Sequence, residues 1–281
     1  MNYFKLVMIQ NPGKDQKIFV TGGTSGLGLE LVRHFLGKGF SVVATGRQKM
    51  DLPEYQERFR LYIVDFGYLK QVADVTKRIC SENSFSFIVN NAGILSPPHY
   101  TETADGLEYT FQINFMAHLL MNEIILDGIR DGRAIRIASV TSPVYRFASL
   151  SPGTNSSSSD YNPIGAYSSS KLYLAMMSDF LISRHGELNL QCFSFDPGTF
   201  SSGIYRMQKR WFREMYRIAA PFMRNPVMVA KALMELVLME NIDNGMIYDT
   251  SKRMRPVPAM NDSVKTAFAD SCYEIIKPFL G

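Results

Sequence analysis

Lys17-Ile-Phe-Val-Thr21 runs directly into Gly22-Gly-Thr-Ser-Gly-Leu-Gly28, and a helix-forming stretch from 29 to 36 follows before Gly37-Lys-Gly39. The first five residues have the apolar, β-branched character of a buried strand. Between strand and helix, the glycines let the chain turn tightly and bring its backbone close to phosphate oxygens. The helix opening behind them offers free N–H groups and the positive end of a dipole. Gly22, Thr24, Ser25, Gly26, Leu27 and Gly28 are therefore candidate contacts for a dinucleotide pyrophosphate. The spacing is not that of the G-x-G-x-x-G fingerprint, so the flanking strand and helix carry the reading.

Working outward, the same rhythm continues. Strands are expected at 40–45, 61–64, 85–89, 135–138, 188–195 and 245–250. Helices are expected over 106–130 and 165–184, with a further one opening at Asn225-Pro226. Alternation of this kind predicts an α/β fold. It is a Rossmann-type, doubly wound parallel sheet in three α/β/α layers, as a single domain over residues 1–281. Residues 1–16 read as an N-terminal arm or extra strand. Residues 151–160 form a Ser/Gly/Pro loop, expected to be mobile. Residues 204–222 carry Trp211, Phe212, Met215, Tyr216, Ile218, Ala219 and Phe222 at helical spacing. This is either an ordinary packed helix or, within 200–225, a lid over an apolar pocket.

Composition narrows the class. The chain has 281 residues, 46% hydrophobic and 20% charged, as in an ordinary globular protein, which excludes disorder as a whole-chain description. A formal charge of +4 gives no basis for nucleic-acid binding, and none is expected. No stretch approaches the roughly 20 apolar residues of a membrane span. Three scattered cysteines, Cys80, Cys192 and Cys272, suit a reduced, cytoplasmic setting rather than a disulfide framework. The four histidines, His34, His99, His118 and His185, show no metal-ligand spacing with Asp, Glu or Cys, and no metal is expected.

The second strand indicates which dinucleotide. An acid at its end would hold a ribose 2′-OH. Here the strand ends Ala44-Thr45-Gly46-Arg47, and Arg47 can pair with a 2′-phosphate. NADP(H) is expected over NAD(H).

At this point the chain resembles the short-chain dehydrogenases/reductases over nearly its whole length. The landmarks fall in the family's order. They are the 21–28 loop, Asp65 after the third strand, Asn90-Asn91-Ala92-Gly93 after the fourth, Ser139 after the fifth, and Tyr167-x-x-x-Lys171. Asn114 matches a fourth catalytic position, and Pro197-Gly198 the nicotinamide-side turn. Order matters, because Tyr-x-x-x-Lys also occurs at Tyr205/Lys209, Tyr248/Lys252 and Tyr273/Lys277, expected to be surface pairs or not helical. The 28-residue interval from Ser139 to Tyr167 and the aromatic segment after Pro197-Gly198 resemble the retinol-dehydrogenase-like branch, whose substrates are often apolar carbonyls or alcohols. Asp196 departs from the Asn or His common there and puts the details of that turn in doubt.

The resemblance implies hydride transfer between nicotinamide and the carbonyl or alcohol of an apolar small molecule. Tyr167 is the general acid or base. Lys171⁺ is expected to lower the Tyr167 pKa from about 10 and, by resemblance, to hold the nicotinamide ribose. Ser139 would hold the substrate oxygen, and Asn114 a water that links Lys171 to solvent. Asp65, with Phe66 beside it, is expected at the adenine amino group or as an N-cap for the helix starting at Tyr68. Asn91, Ala92 and Gly93 lie at the adenine ribose, with Asn91 open to a role as a structural brace. Relatives pair through the helices carrying Asn114 and Tyr167, so a homo-oligomer is open. The alternatives are a non-catalytic NADP(H) sensor, which predicts a degraded catalytic set, and a membrane-surface role for the basic segment 205–224.

Overall fold

The computed structural model describes residues 16–130, 132–148, 160–199 and 224–281. The N-terminal arm up to 15, the loop 149–159 and the segment 200–223, with Trp211 and the expected lid, lie outside the described residues.

Seven strands run parallel: β1 (Lys17–Val20), β2 (Ser41–Gly46), β3 (Phe59–Ile63), β4 (Phe87–Asn90), β5 (Ile135–Val140), β6 (Leu190–Asp196) and β7 (Met246–Asp249). The edge strand β8 (Met254–Pro256) is antiparallel to β7 and has no counterpart in the sequence reading. The order β3-β2-β1-β4-β5-β6-β7-β8 reverses between β1 and β4, which opens a crevice at their carboxyl ends. β1, β2 and β4–β6 are almost wholly buried, as strands covered on both faces must be.

One face is covered by α1 (Gly26–Gly37) and by the helix Pro226–Val237. Leu31, Phe35 and Leu233 meet Ile18, Val20 and Phe193 there. The other face carries α2 (Leu69–Glu82), α3 (Ala117–Asp127) and α4 (Pro163–Arg184), so the three-layer fold read from the sequence is the one observed. In chain order Pro226–Val237 is α5, and α6 spans Asp262–Leu280. The Asn-Pro pairs at 162–163 and 225–226 start α4 and α5. Each Asn side chain accepts N–H groups of the first turn, and each Pro occupies a position that needs no N–H.

The helix expected over 106–130 is not continuous. One α-helical turn, Tyr109–Phe111, passes into a π-helical turn, Gln112–Met116, before α3 begins. Asn114 sits in the middle of that π turn. The amide side chain of Asn114 bonds to the backbone of Ile94, and holding it there favours the wider turn.

α6 lies across α2 and α3. Phe268, Cys272 and Ile276, at i, i+4 and i+8, are its buried stripe. The Phe268 ring is 4.5 Å from Tyr173 and 6.0 Å from Phe115. α6 thus covers part of α2 and α3 within the chain. Tyr273 is not a surface residue as expected: it is partly buried, and its hydroxyl donates to Glu123 at 3.0 Å. Tyr248 lies in β7, and Lys252 follows in a turn with φ 61°, so that pair is not helical.

Glu123 is fully buried and also accepts from His185 at 3.0 Å and pairs with Arg184 at 3.1 Å. The fold therefore gathers Glu123, Asp127 and His185 into one cluster that the sequence spacing did not reveal. The carboxylate is already occupied by a guanidinium, an imidazole and a phenol, so the arrangement is an ion-pair strap for α6. Among the described residues, no helix is long and apolar enough to cross a membrane.

Burial alone would lower the His185 pKa, but the hydrogen bond and charge of Glu123, with Asp127 and Glu187 beyond, raise it above the ordinary value. The stabilisation is therefore complete below the ordinary histidine pKa and fades as pH rises through the raised one. Thermal midpoints across roughly pH 6–9 should fall for the native chain and stay flatter for His185→Gln.

Candidate active site

The turn after β1 is folded against the end of β4. Gly22 has φ 68°, and a Cβ on it would stand 2.9 Å from Ala92 Cα. A Cβ on Gly28 would lie 2.2 Å from the Gly22 carbonyl. Only glycine permits this packing at either position. Ser25 is the N-cap of α1 and makes no side-chain cap, so the first-turn N–H groups are left to solvent or an anion. Thr24 packs on Gly46, where a Cβ would meet Thr24 Cγ2 at 2.3 Å.

Arg47 follows directly, exposed and with no ion pair to the described residues. Its charge and that of Asp65 both act on Tyr109, whose pKa is raised by burial first and then by Asp65, with Arg47 opposing. Arg47, Asp65 and Tyr109 thus gather at one end of the crevice.

Asp65 is not the N-cap of α2. Its Oδ1 accepts from Gly67 N at 2.9 Å, and Tyr68 is the N-cap residue. The Leu69 N–H of the first turn is satisfied instead by Asp105, from the loop before the π turn, at 2.8 Å. Phe66 is buried, and its carbonyl accepts from Gln112 at 3.0 Å. Asn91 takes the bracing role: its Nδ2 donates to the Thr21 carbonyl at 2.9 Å.

Thr21 joins the two halves of the site. Its hydroxyl oxygen accepts from Asn91 N at 2.9 Å and Ala92 N at 3.0 Å. His118 Nε2 lies 3.0 Å away, and His118 Nδ1 lies 3.1 Å from the Asn114 carbonyl. A carbonyl can only accept, so Nδ1 carries the proton and Nε2 accepts from Thr21. Protonating Nε2 would aim a donor at an oxygen already accepting two N–H bonds. Burial, and then the charge of Lys171, depress the His118 pKa to about 3, in keeping with that neutral tautomer.

Asn114 Oδ1 accepts from Ile94 N at 2.8 Å, and its Nδ2 donates to the Ile94 carbonyl and Ser170 Oγ, each at 3.0 Å. A Cβ on Gly93 would stand 3.2 Å from both Asn114 Oδ1 and Lys171 Nζ, so these groups converge on Gly93. Lys171 is buried, donates to the Val140 carbonyl at 3.0 Å, and has its pKa lowered to about 8 by burial.

Ser139 stands opposite Asn90 in the β4–β5 register and accepts from Asn90 Nδ2 at 3.2 Å. That direction is set at a distance. Asn122 Nδ2 donates to the His118 carbonyl at 2.7 Å and also faces Asn90 Oδ1 at 3.2 Å, which leaves the Asn90 nitrogen for Ser139.

Tyr167 lies one turn before Lys171 on α4. It is partly exposed as a residue, yet burial of its hydroxyl pushes the pKa up to about 12, with a hydrogen bond to Ser142 opposing. The expected lowering by Lys171 is not what this structure shows: burial raises the pKa, and the opposing hydrogen bond comes from Ser142. At the end of β6, Gly198 has φ 68° and its N–H donates to Asp196 Oδ1 at 2.9 Å. Asp196 thus fixes the Pro197-Gly198 turn that its presence had put in doubt.

His118, Asn90, Asn122 and Ser142 were not read as site residues. A signal existed for two of them: Asn114, His118 and Asn122 form an i, i+4, i+8 polar stripe in an otherwise apolar stretch.

A sequence profile described as short chain dehydrogenase matches residues 16–212. The chain belongs to the short chain dehydrogenase family. Human polyprenol dehydrogenase is 24% identical over 212 residues, covering 69% of this chain and 64% of that protein, less than two thirds of its length. Human retinol dehydrogenase 11 is 24% identical over 245 residues, covering 84% and 76%, in the branch that the sequence resembles. Among solved structures, the 3-ketoacyl-(acyl-carrier-protein) reductase of Brucella melitensis, complexed with NADH, superposes with a TM-score of 0.64. It is 17% identical, covers 84% of this chain and 96% of that one, and supports the fold alone.

His118→Leu would leave the Asn114 carbonyl short of a partner and the Thr21 hydroxyl with only its long 3.4 Å contact to the Val89 carbonyl. Urea denaturation should show a loss on the order of 2–4 kcal/mol.

Proposed function

We propose that this short chain dehydrogenase is an NADP(H)-dependent oxidoreductase acting on the carbonyl or alcohol of an apolar small molecule, with Tyr167 as general acid or base. The observation that carries the reading is the convergence of Asn114 and Lys171 on Gly93, beside the β5 exit that bears Ser139 and on the helix that bears Tyr167.

The residues present fit a dinucleotide. A Cβ on Gly26 would meet nothing within 4 Å, so the loop backbone there is open to an approaching phosphate, the first turn of α1 has no side-chain cap, and Arg47 is exposed without an ionic partner among the described residues. Gly22, Thr24, Ser25, Gly26, Leu27 and Gly28 would hold the pyrophosphate and Arg47 a 2′-phosphate. Asp65, Phe66, Ala92 and Gly93 would border the adenosine, with Asn91 as brace. Lys171 would reach the nicotinamide ribose, and Pro197-Gly198 the carboxamide side. NADPH, when bound, supplies the hydride.

The chain's own residues handle the oxygen and the proton. Ser139 Oγ accepts from Asn90, so its own proton is free to donate to a substrate oxygen and stabilise charge developing there. Asn90 and Asn122 are positioning residues for that hydroxyl. In reduction, the Tyr167 O–H bond breaks and its proton passes to the carbonyl oxygen, leaving a phenolate beside the Lys171 ammonium. With its pKa pushed up to about 12, Tyr167 holds its proton at neutrality, which suits the reductive direction. A sensor without catalysis has no use for this set, which is intact at Asn114, Ser139, Tyr167 and Lys171.

Tyr167→Phe should lower NADPH oxidation with ketones or aldehydes by about 10²–10⁴-fold while NADPH still binds by fluorescence titration. Undiminished turnover would place the proton donor elsewhere. Arg47→Ala should weaken NADPH by about 10–100-fold and leave NADH nearly untouched. Equal weakening would remove Arg47 as the phosphate clamp.

A further inference from the structure

A second cluster of charge lies at the exits of β5 and β6, on the rim that also carries Ser142, the Tyr167 neighbour. Asp196, the last residue of β6, is buried. Its Oδ2 accepts from Arg255 Nη2 of β8 at 2.8 Å, and Arg146 Nη2 lies 3.7 Å from the same oxygen. Its Oδ1 is taken by Gly198 N. A third guanidinium, that of Arg224, bonds to Thr250 Oγ1 and to the Pro197 carbonyl, and lies over the open face of Gly198. Among the described residues, one buried carboxylate therefore faces two arginines, with a third on the turn that follows it.

Among the described residues, the arginines are incompletely used. The Arg146 contact is too long for a hydrogen bond, and that side chain is 46% exposed, leaning on the Tyr145 ring. Arg255 Nε is buried with no hydrogen-bond partner. Desolvated donors of this kind are costly unless something accepts from them.

Position says what that acceptor belongs to. Arg146 lies on the 3₁₀ turn Pro143–Phe147, which packs on α4 and begins one residue after Ser142, the Tyr167 neighbour. Thr141 N donates to the Phe195 carbonyl at 2.9 Å, joining this exit to the one that bears Asp196. The dinucleotide phosphates are not the natural partner. Their loop follows β1, three strands from β6 in the sheet order, or about 14 Å at ~4.8 Å per strand. On the same rim, Phe147 is 76% and Ile164 70% exposed, apolar surface beside the guanidinium groups.

We infer that the substrate is amphipathic, with an anionic group, carboxylate or phosphate, held by Arg146 and Arg255 while its carbonyl or alcohol meets Tyr167. This rests on the oxidoreductase reading above and revises its substrate class from an apolar molecule to an apolar body that carries one anionic group. The guanidinium fork matches either anion bidentately. Asp196 holds the arginines in place, and the spare positive charge selects the ligand.

The test uses the full chain with NADPH. Turnover of 7-oxooctanoate is compared with that of its uncharged counterpart, octan-2-one. Binding of octanoate, octyl phosphate and octan-1-ol is measured by calorimetry, in the native chain and in Arg146→Ala. The expected result is a kcat/KM about 10–100-fold higher for the oxo acid, an advantage that Arg146→Ala erases. Octanoate or octyl phosphate should bind more tightly than octan-1-ol by a similar factor, and whichever binds better names the anion. Equal kcat/KM for 7-oxooctanoate and octan-2-one, or an acid preference that survives Arg146→Ala, overturns the inference and leaves hydride transfer standing. Arg146-dependent octanoate binding without NADPH oxidation on either ketone overturns the oxidoreductase reading instead and leaves the anion site standing.

Discussion

Thr21 Oγ1 accepts two backbone N–H bonds from the chain leaving β4 and gives its own proton to His118. Three segments far apart in sequence meet at that one oxygen: the glycine turn after β1, the Asn91-Ala92-Gly93 strand exit, and the first turn of α3, which continues the π turn carrying Asn114. Together with the Asn91 brace on the Thr21 carbonyl, the junction holds the glycine loop and the Asn114–Lys171 side of the crevice in fixed relation. The junction works because His118 is neutral. Burial among apolar groups, with the Lys171 charge nearby, keeps the imidazole in the single tautomer that completes every bond around it.

From His118 the same logic runs on through Asn122 and Asn90 to Ser139. Each amide is oriented by a backbone carbonyl or by its neighbour, and a direction set at the His118 carbonyl decides which way a hydroxyl faces two strands away. Such a chain is tolerated in a core only when it is nearly complete, since each unpaired group costs about 1–3 kcal/mol. Asn122 Oδ1 is its one buried atom without a partner. The aromatic cluster of Phe111, Phe115, Tyr173, Phe180 and Phe268 packs beside this polar spine and shields it from water, and α6 contributes Phe268 to it.

The buried charges are handled in two opposite ways. Glu123 is surrounded by cationic and donor groups from α4 and α6, and the result is a strap. Lys171 has no carboxylate within ion-pairing reach among the described residues and leans only on the Val140 carbonyl, so its ammonium is poised rather than neutralised. The arginines around Asp196 lie between these cases, anchored by one carboxylate yet carrying more charge than it can compensate.

Much was legible in the chain itself. The period-two strands, the glycine turn and the family's order of landmarks from the 21–28 loop to Tyr167-x-x-x-Lys171 all depend on local pattern or spacing, and a linear sequence records both. The π turn was not legible, because Gln112–Met116 has the residues of an ordinary helix and is widened by a bond from Asn114 to Ile94, a neighbour in space. Nor was the capping of α2 by Asp105, the strap at Glu123, or the pKa of Tyr167, which burial raises. Those features are set by which groups share a low-dielectric interior. Sequence spacing fixes which residues share a strand or a helix face, but desolvation and hydrogen-bond completion are properties of the folded volume, and only the tertiary structure decides them.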